Sequence, residues 1–160
     1  MMYYSASMNT LDESLMNAVK EGKLLESSRT NIRLLLDGTK SPIAREAVEE
    51  LAAAGEWQEL NDRFYKTLAF GTGGLRGRTI GSIVTRAEQG NGGVNGRPEY
   101  PCVGTACMNY FNVGRAMRGL IIYVNKHGEA TDPGRKPRLV IGHDTRHFSR
   151  DFAEFCAKIG

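Results

Sequence analysis

Phe70-Gly71-Thr72-Gly73-Gly74-Leu75-Arg76-Gly77 stands between a segment of helical periodicity and the run Thr79-Ile80-Gly81-Ser82-Ile83-Val84, which reads as a strand. Its four glycines let the backbone turn sharply and present N–H groups to an anion. Arg76 adds a planar, permanently charged fork suited to bidentate phosphate contact. The residues alone leave a second reading open, a flexible turn with Arg76 pointing into solvent. Two familiar phosphate loops are excluded. A Walker loop needs Gly-Lys-Ser/Thr where Arg76 and Gly77 stand. A dinucleotide fingerprint follows a strand and opens a helix, the inverse of the order here.

Upstream, the spacing predicts helices. Thr10-Leu11-Asp12-Glu13 has the form of a capping box, with Leu11, Leu15 and Val19 following at helical intervals and Gly22 as a stop. Ser41-Pro42 reads as an N-cap and first helical position, with Ile43, Ala47, Val48 and Leu51 as the apolar stripe and Gly55 as the end. A third helix starts near Glu56, with Trp57, Leu60, Phe64 and Leu68 on one face. Gly38-Thr39-Lys40-Ser41 is a turn and helix cap.

Downstream, Gln89 to Pro98 is rich in Gly and Asn and reads as an exposed loop. Val113, Ala116, Met117, Leu120, Ile121 and Val124 mark an amphipathic helix that Lys126, His127 and Gly128 should end. Asp132-Pro133-Gly134 turns into Arg138-Leu139-Val140-Ile141-Gly142, an apolar run of buried-strand type. Ser149 then caps a last helix with Phe152, Phe155, Cys156 and Ile159 facing inward. Strand, helix, strand, helix is the pattern of a parallel α/β sheet. Gly142-His143-Asp144-Thr145-Arg146-His147-Phe148-Ser149 would sit at the carboxyl end of such a strand, where open sheets place ligands. Asp144 and Arg146 are either a pair that orders this loop or direct ligand contacts.

The chain of 160 residues has the length of one ordinary domain. Its charges, 21 basic against 18 acidic, are interspersed, which argues against a nucleic-acid partner. The longest apolar run, Leu120 to Val124, is far short of a membrane span, and the N-terminus has no secretory pattern. Cys102, Cys107 and Cys156 match no zinc spacing and read as reduced thiols of a cytoplasmic protein, Cys156 on an apolar helix face.

Phe70 to Gly77, then Asn112-Val113 through Gly119-Leu120-Ile121, then Gly142, Asp144 and Arg146 with Ser149, occur in the order of the signature blocks of the α-D-phosphohexomutase family. Residues 43–160 resemble the start of its first domain. The lead-in through Asn61-Asp62-Arg63-Phe64 is similar to the branch holding phosphoglucomutase-2-like and phosphopentomutase-like enzymes. The resemblance implies an α/β fold class: a helical N-terminal extension over 1–68, then over 69–160 the first strands and helices of a phosphoglucomutase/phosphomannomutase α/β/α domain, incomplete at the C-terminus. It implies a phosphosugar mutase, an isomerase acting as an intramolecular phosphotransferase in carbohydrate metabolism. Such an enzyme works through a phosphoserine, with a sugar bisphosphate as intermediate and activator and magnesium as cofactor. Arg76 would stabilise charge beside the phosphoserine. Thr72, Gly73, Gly74 and Arg76 would line the phosphate site, and Asp144 with Arg146 would brace the neighbouring loop. The serine nucleophile, in a Thr-Ala-Ser-His-Asn-Pro-like motif, and the magnesium ligands would lie in the remaining domains of the same enzyme, leaving this fragment inactive alone. The segment from about Thr85 to Cys107 reads as a surface insertion. The alternative is a non-catalytic phosphate-binding or interaction module derived from that domain.

Overall fold

Helical periodicity governs the chain from its start. In a computed structural model that describes residues 3–160, the elements are α1 (Tyr3–Lys20), α2 (Glu26–Gly38), α3 (Pro42–Ala53), α4 (Trp57–Phe64), a short α5 (Arg86–Gln89), a 3-10 turn (Val94–Gly96), α6 (Tyr110–Thr131) and α7 (Ser149–Ile159). The chain divides into two compact units, one ending at Met108 and one starting at Asn109.

In the first unit, Leu11, Leu15 and Ala18 of α1, Ile32 and Leu35 of α2, and Ala44, Ala47, Val48 and Leu51 of α3 are buried at helical intervals. They close around Leu60 and Phe64 of α4, whose burial stabilises by roughly 1.5–3 kcal/mol per side chain. Asn61 clamps the turn between α1 and α2, donating to Lys23 O at 2.9 Å and accepting from Leu25 N at 2.9 Å. Gly55, at φ +72°, ends α3 in the left-handed conformation that glycine adopts without a steric penalty.

The second unit rests on α6 against α7. Val113 and Met117 are buried, and Tyr110 packs edge-on to Phe152 and Phe155 at 5.4 and 5.1 Å between centroids.

Several expectations are corrected. No strand forms among the described residues, so the fold is helical and not α/β. Residues 79–84 carry strand-like composition, but their backbone is engaged elsewhere. Cys102 N donates to Thr79 O at 2.8 Å, Met108 N to Arg78 O at 3.0 Å, and the Arg63 guanidinium to Ile83 O. Residues 138–142 take no regular secondary structure, no described strand supplies a ladder, and Val140 is 100% exposed. Thr10 lies inside α1, so it is no cap, while Ser41 precedes Pro42 as expected without bonding through its side chain. Helix α6 runs past Gly128 to Thr131. Ser149 is the first residue of α7, preceded by Phe148 at φ +64°. The surface-insertion reading of 85–107 holds only for the Gly/Asn-rich tip: Thr85, Glu88 and residues 101–107 are buried. No helix of the described residues is long and apolar enough to cross a membrane.

Candidate functional site

Gly71 and Gly74 close a tight turn, each donating its N–H to the other's carbonyl at 3.2 Å, and Gly73 N donates to Gly71 O at 2.7 Å. Gly74 holds φ +112°, open to glycine alone. Three amides are therefore satisfied inside the turn, and the polar groups it presents outward are the exposed Thr72 hydroxyl and the Arg76 guanidinium. Arg76 folds back over the turn: its Nη2 lies 3.0 Å from where a Cβ on Gly73 would stand. It has no ion-pair partner among the described residues, and Phe70 beside the turn is 82% exposed. At Gly77 the chain passes so close to residues 106–108 that a Cβ would lie 2.8 Å from Ala106 O and 3.0 Å from Met108 N.

What holds this segment is a buried cluster of charge. Arg63, on the inward face of α4, is 0% exposed, and Glu59 and Glu88 are almost as deeply buried. Arg63 donates from Nε to Glu59 Oε1 at 2.8 Å and from Nη1 to Glu88 Oε1 at 2.6 Å. Glu88 also accepts from Val103 N at 2.7 Å and from Thr85 N at 3.0 Å, within a capping box that starts α5. Arg78 reaches Glu59 Oε2 at 3.5 Å and Asp62 at 3.6 Å, and its Nη1 donates to Ser82 Oγ at 2.7 Å. Two guanidiniums thus face two buried carboxylates, which is the balance that a desolvated ion cluster requires. Burial alone would lower the pKa of Arg63, but the Glu88 carboxylate, with Glu59, holds it above its ordinary value. Arg76 and Arg78 therefore differ in kind: Arg78 is tied into the cluster, and Arg76 is left outward.

In the second unit, Asp144 holds Arg146 by a fork. Asp144 Oδ2 accepts from Nε at 2.7 Å and lies 2.6 Å from Nη2, and Oδ1 accepts from Arg146 N at 3.0 Å. Ser149 Oγ accepts from Asp144 N at 3.0 Å, so the loop is bonded to the first turn of α7. These bonds, led by the Arg146 side chain, hold the Asp144 carboxyl well below the usual carboxylate range. A depressed folded-state pKa means that this loop order is complete above the ordinary carboxylate pKa and is lost as pH falls through the lower, folded one. An NMR titration is expected to place Asp144 below the ordinary range, and Arg146→Gln to move it back up. An ordinary midpoint in the unaltered chain would refute the fork.

The sites named from sequence thus fall in separate units, Thr72, Gly73, Gly74 and Arg76 in the first, Asp144 and Arg146 in the second. Sequence reasoning missed Glu59, Arg63 and Glu88 as organising residues. Their one signal was position: Glu59 and Arg63 share the face of α4 that carries Leu60 and Phe64. Comparison with protein-family models found no match, and comparisons with curated proteins and with solved structures found none either.

Proposed function

We propose that residues 70–77 form one wall of a phosphosugar site, and that the chain serves a phosphosugar mutase that shifts a phosphoryl group within one sugar through a phosphoserine and a bisphosphate. The observation that carries this reading is the exposed Arg76 guanidinium, without an anionic partner among the described residues, lying over a glycine turn whose base is fixed to a buried ion cluster. Phosphoryl transfer draws mainly on positioning and on neutralising charge spread over the phosphoryl oxygens. Arg76 would supply a planar cation there, Thr72 a hydroxyl, and the side-chain-free Gly73 and Gly74 room for close approach. Asp144 with Arg146 would keep their own loop in shape. The magnesium ion of such an enzyme supplies charge neutralisation at the phosphoryl group. Among the described residues no three His, Cys, Asp or Glu side chains converge to hold it, and the roles of Arg76 and Thr72 do not depend on it.

Titration with glucose 1-phosphate, followed by amide NMR, is expected to shift the resonances of residues 71–77. Arg76→Ala should abolish those shifts without lowering the melting temperature, because Arg76 bears on no buried partner. Unchanged binding in that variant would sink the proposal. A second reading is a phosphate-binding module without catalysis, which would use the same exposed Arg76 and Thr72. Both readings expect no glucose 1-phosphate turnover by this chain alone. They part on the coding sequence after codon 160, where a serine motif supports the mutase and a stop supports the module.

A further inference from the structure

Pro101-Cys102-Val103-Gly104-Thr105-Ala106-Cys107 is buried throughout although it forms no helix or strand. Its backbone is fixed from several sides. Cys102 N donates to Thr79 O at 2.8 Å, Val103 N to Glu88 Oε1 at 2.7 Å and Ala106 N to Arg63 O at 2.9 Å, and Thr105 O accepts from Leu68 N at 2.7 Å. Gly104 is required at its bend, since a Cβ would lie 2.6 Å from Arg63 O and 2.9 Å from Cys107 Sγ. This folding brings the two sulfurs, five residues apart in sequence, to 3.2 Å within the core.

We propose that Cys102 and Cys107 are a redox site, a dithiol that a small hydroperoxide oxidises reversibly to an intramolecular disulfide. A disulfide spans about 2.05 Å, so closure requires the sulfurs to approach by roughly one ångström, within reach of side-chain rotation. The chemistry favours Cys107 as the attacking sulfur. The hydrogen bond from Cys102 lowers its pKa, burial opposes this, and the charges of Arg63 and Arg78 assist; the same bond, then burial, keeps Cys102 a thiol. The Cys107 sulfur attacks one peroxide oxygen, the O–O bond breaks, and the departing hydroxide takes the Cys107 proton as water, leaving a sulfenic acid. The Cys102 sulfur then attacks the sulfenic sulfur, the S–S bond forms, and the hydroxyl leaves with the Cys102 proton as a second water. The two thiols lose two electrons, and the peroxide gains them. Burial sets the rate and not the product: a water-sized oxidant enters when the 101–107 segment opens locally. A bulky disulfide oxidant is excluded from the closed state. Because the backbone of residues 106–108 abuts Gly77, closure acts on the support of the Arg76 segment.

The test treats the folded 160-residue chain with hydrogen peroxide, quenches it, alkylates it in denaturant and digests it with trypsin. Both cysteines fall in the peptide Ala87–Arg115, since the Arg97–Pro98 bond resists trypsin, while Cys156 falls in Asp151–Lys158 and reports the dose. The expected result is an Ala87–Arg115 peptide lighter by two hydrogens with neither cysteine alkylated, and recovery of both alkylations after dithiothreitol. Any other product overturns the proposal: two thiols still alkylated, a sulfinic acid at either position, or a bond from either sulfur to Cys156.

Discussion

Arg63→Met is expected to lower the unfolding free energy by about 3–5 kcal/mol, the cost of removing one partner from a buried ion cluster. Against a total of about 5–15 kcal/mol for a domain, that loss brings the first unit close to unfolding at ambient temperature. The reason lies in what stays behind. Glu59 would keep Arg78 at 3.5 Å, but Glu88 would retain only neutral donors, Thr85 and Val103, for a charge shut off from water. Methionine fills much of the volume, so the loss would report charge and not a cavity. A triple variant adding Glu59→Gln and Glu88→Gln should recover part of the stability, because a neutral set carries no stranded charge. Chemical denaturation of the three proteins decides the matter. A loss under about 1 kcal/mol for Arg63→Met would mean that the cluster is neither dry nor dominant.

Gly81→Ala should cost about 1–3 kcal/mol, through overlap in a place with no slack. A Cβ there would meet the Arg63 guanidinium directly and lie 2.7 Å from both Glu59 Oε1 and Ile83 O. The Ile83 carbonyl belongs to the backbone and accepts from Arg63, so it cannot move without releasing the arginine. Groups this close couple, and the two lesions should not add. In an Arg63→Lys background, with its slimmer head group, the penalty for Gly81→Ala should shrink. Equal penalties in both backgrounds would show that the methyl group clashes with something other than Arg63.

The helices were legible because their signal is local. The predicted faces are mostly buried: Leu11, Leu15, Ala47, Val48, Leu51, Leu60 and Phe64 are buried, Val19, Ile43 and Trp57 are half-buried, and Leu68 lies beyond the end of α4. Helix α2 was not anticipated as an element, although Ile32 and Leu35 lie on its buried side. The strands failed for a different reason. Ile80, Ile83 and Val84 have strand propensity, and Leu139, Val140 and Ile141 have it too, but a strand exists only where another backbone pairs with it. Cys102 and the side chain of Arg63 took the carbonyls of Thr79 and Ile83 in the first run, and no described segment pairs with the second. The ion cluster was the least legible part. A charged residue on a helix normally marks the wet face, and only the approach of residues 81–88 and 103 from far along the chain turns Arg63 inward. At the candidate site, the glycine turn and the outward Arg76 were readable from composition. That the turn bonds its own amides was not, because this depends on backbone angles such as that of Gly74.

The arginine of α4 also orders events in time. It meets Glu88 across 25 positions and Val103 across 40, whereas α1 to α4 are joined by short turns. The four helices can assemble while the guanidinium is still hydrated, and residues 78–108 must then wrap over it and strip that water away. Closure of the wrap is accordingly expected late in folding, and its release early in unfolding. In a chevron, a lesion at Arg63 should steepen the loss on the unfolding limb and leave the refolding rate nearly unchanged. The buried charge acts as a latch that sets how long the first unit stays folded, more than how quickly it folds.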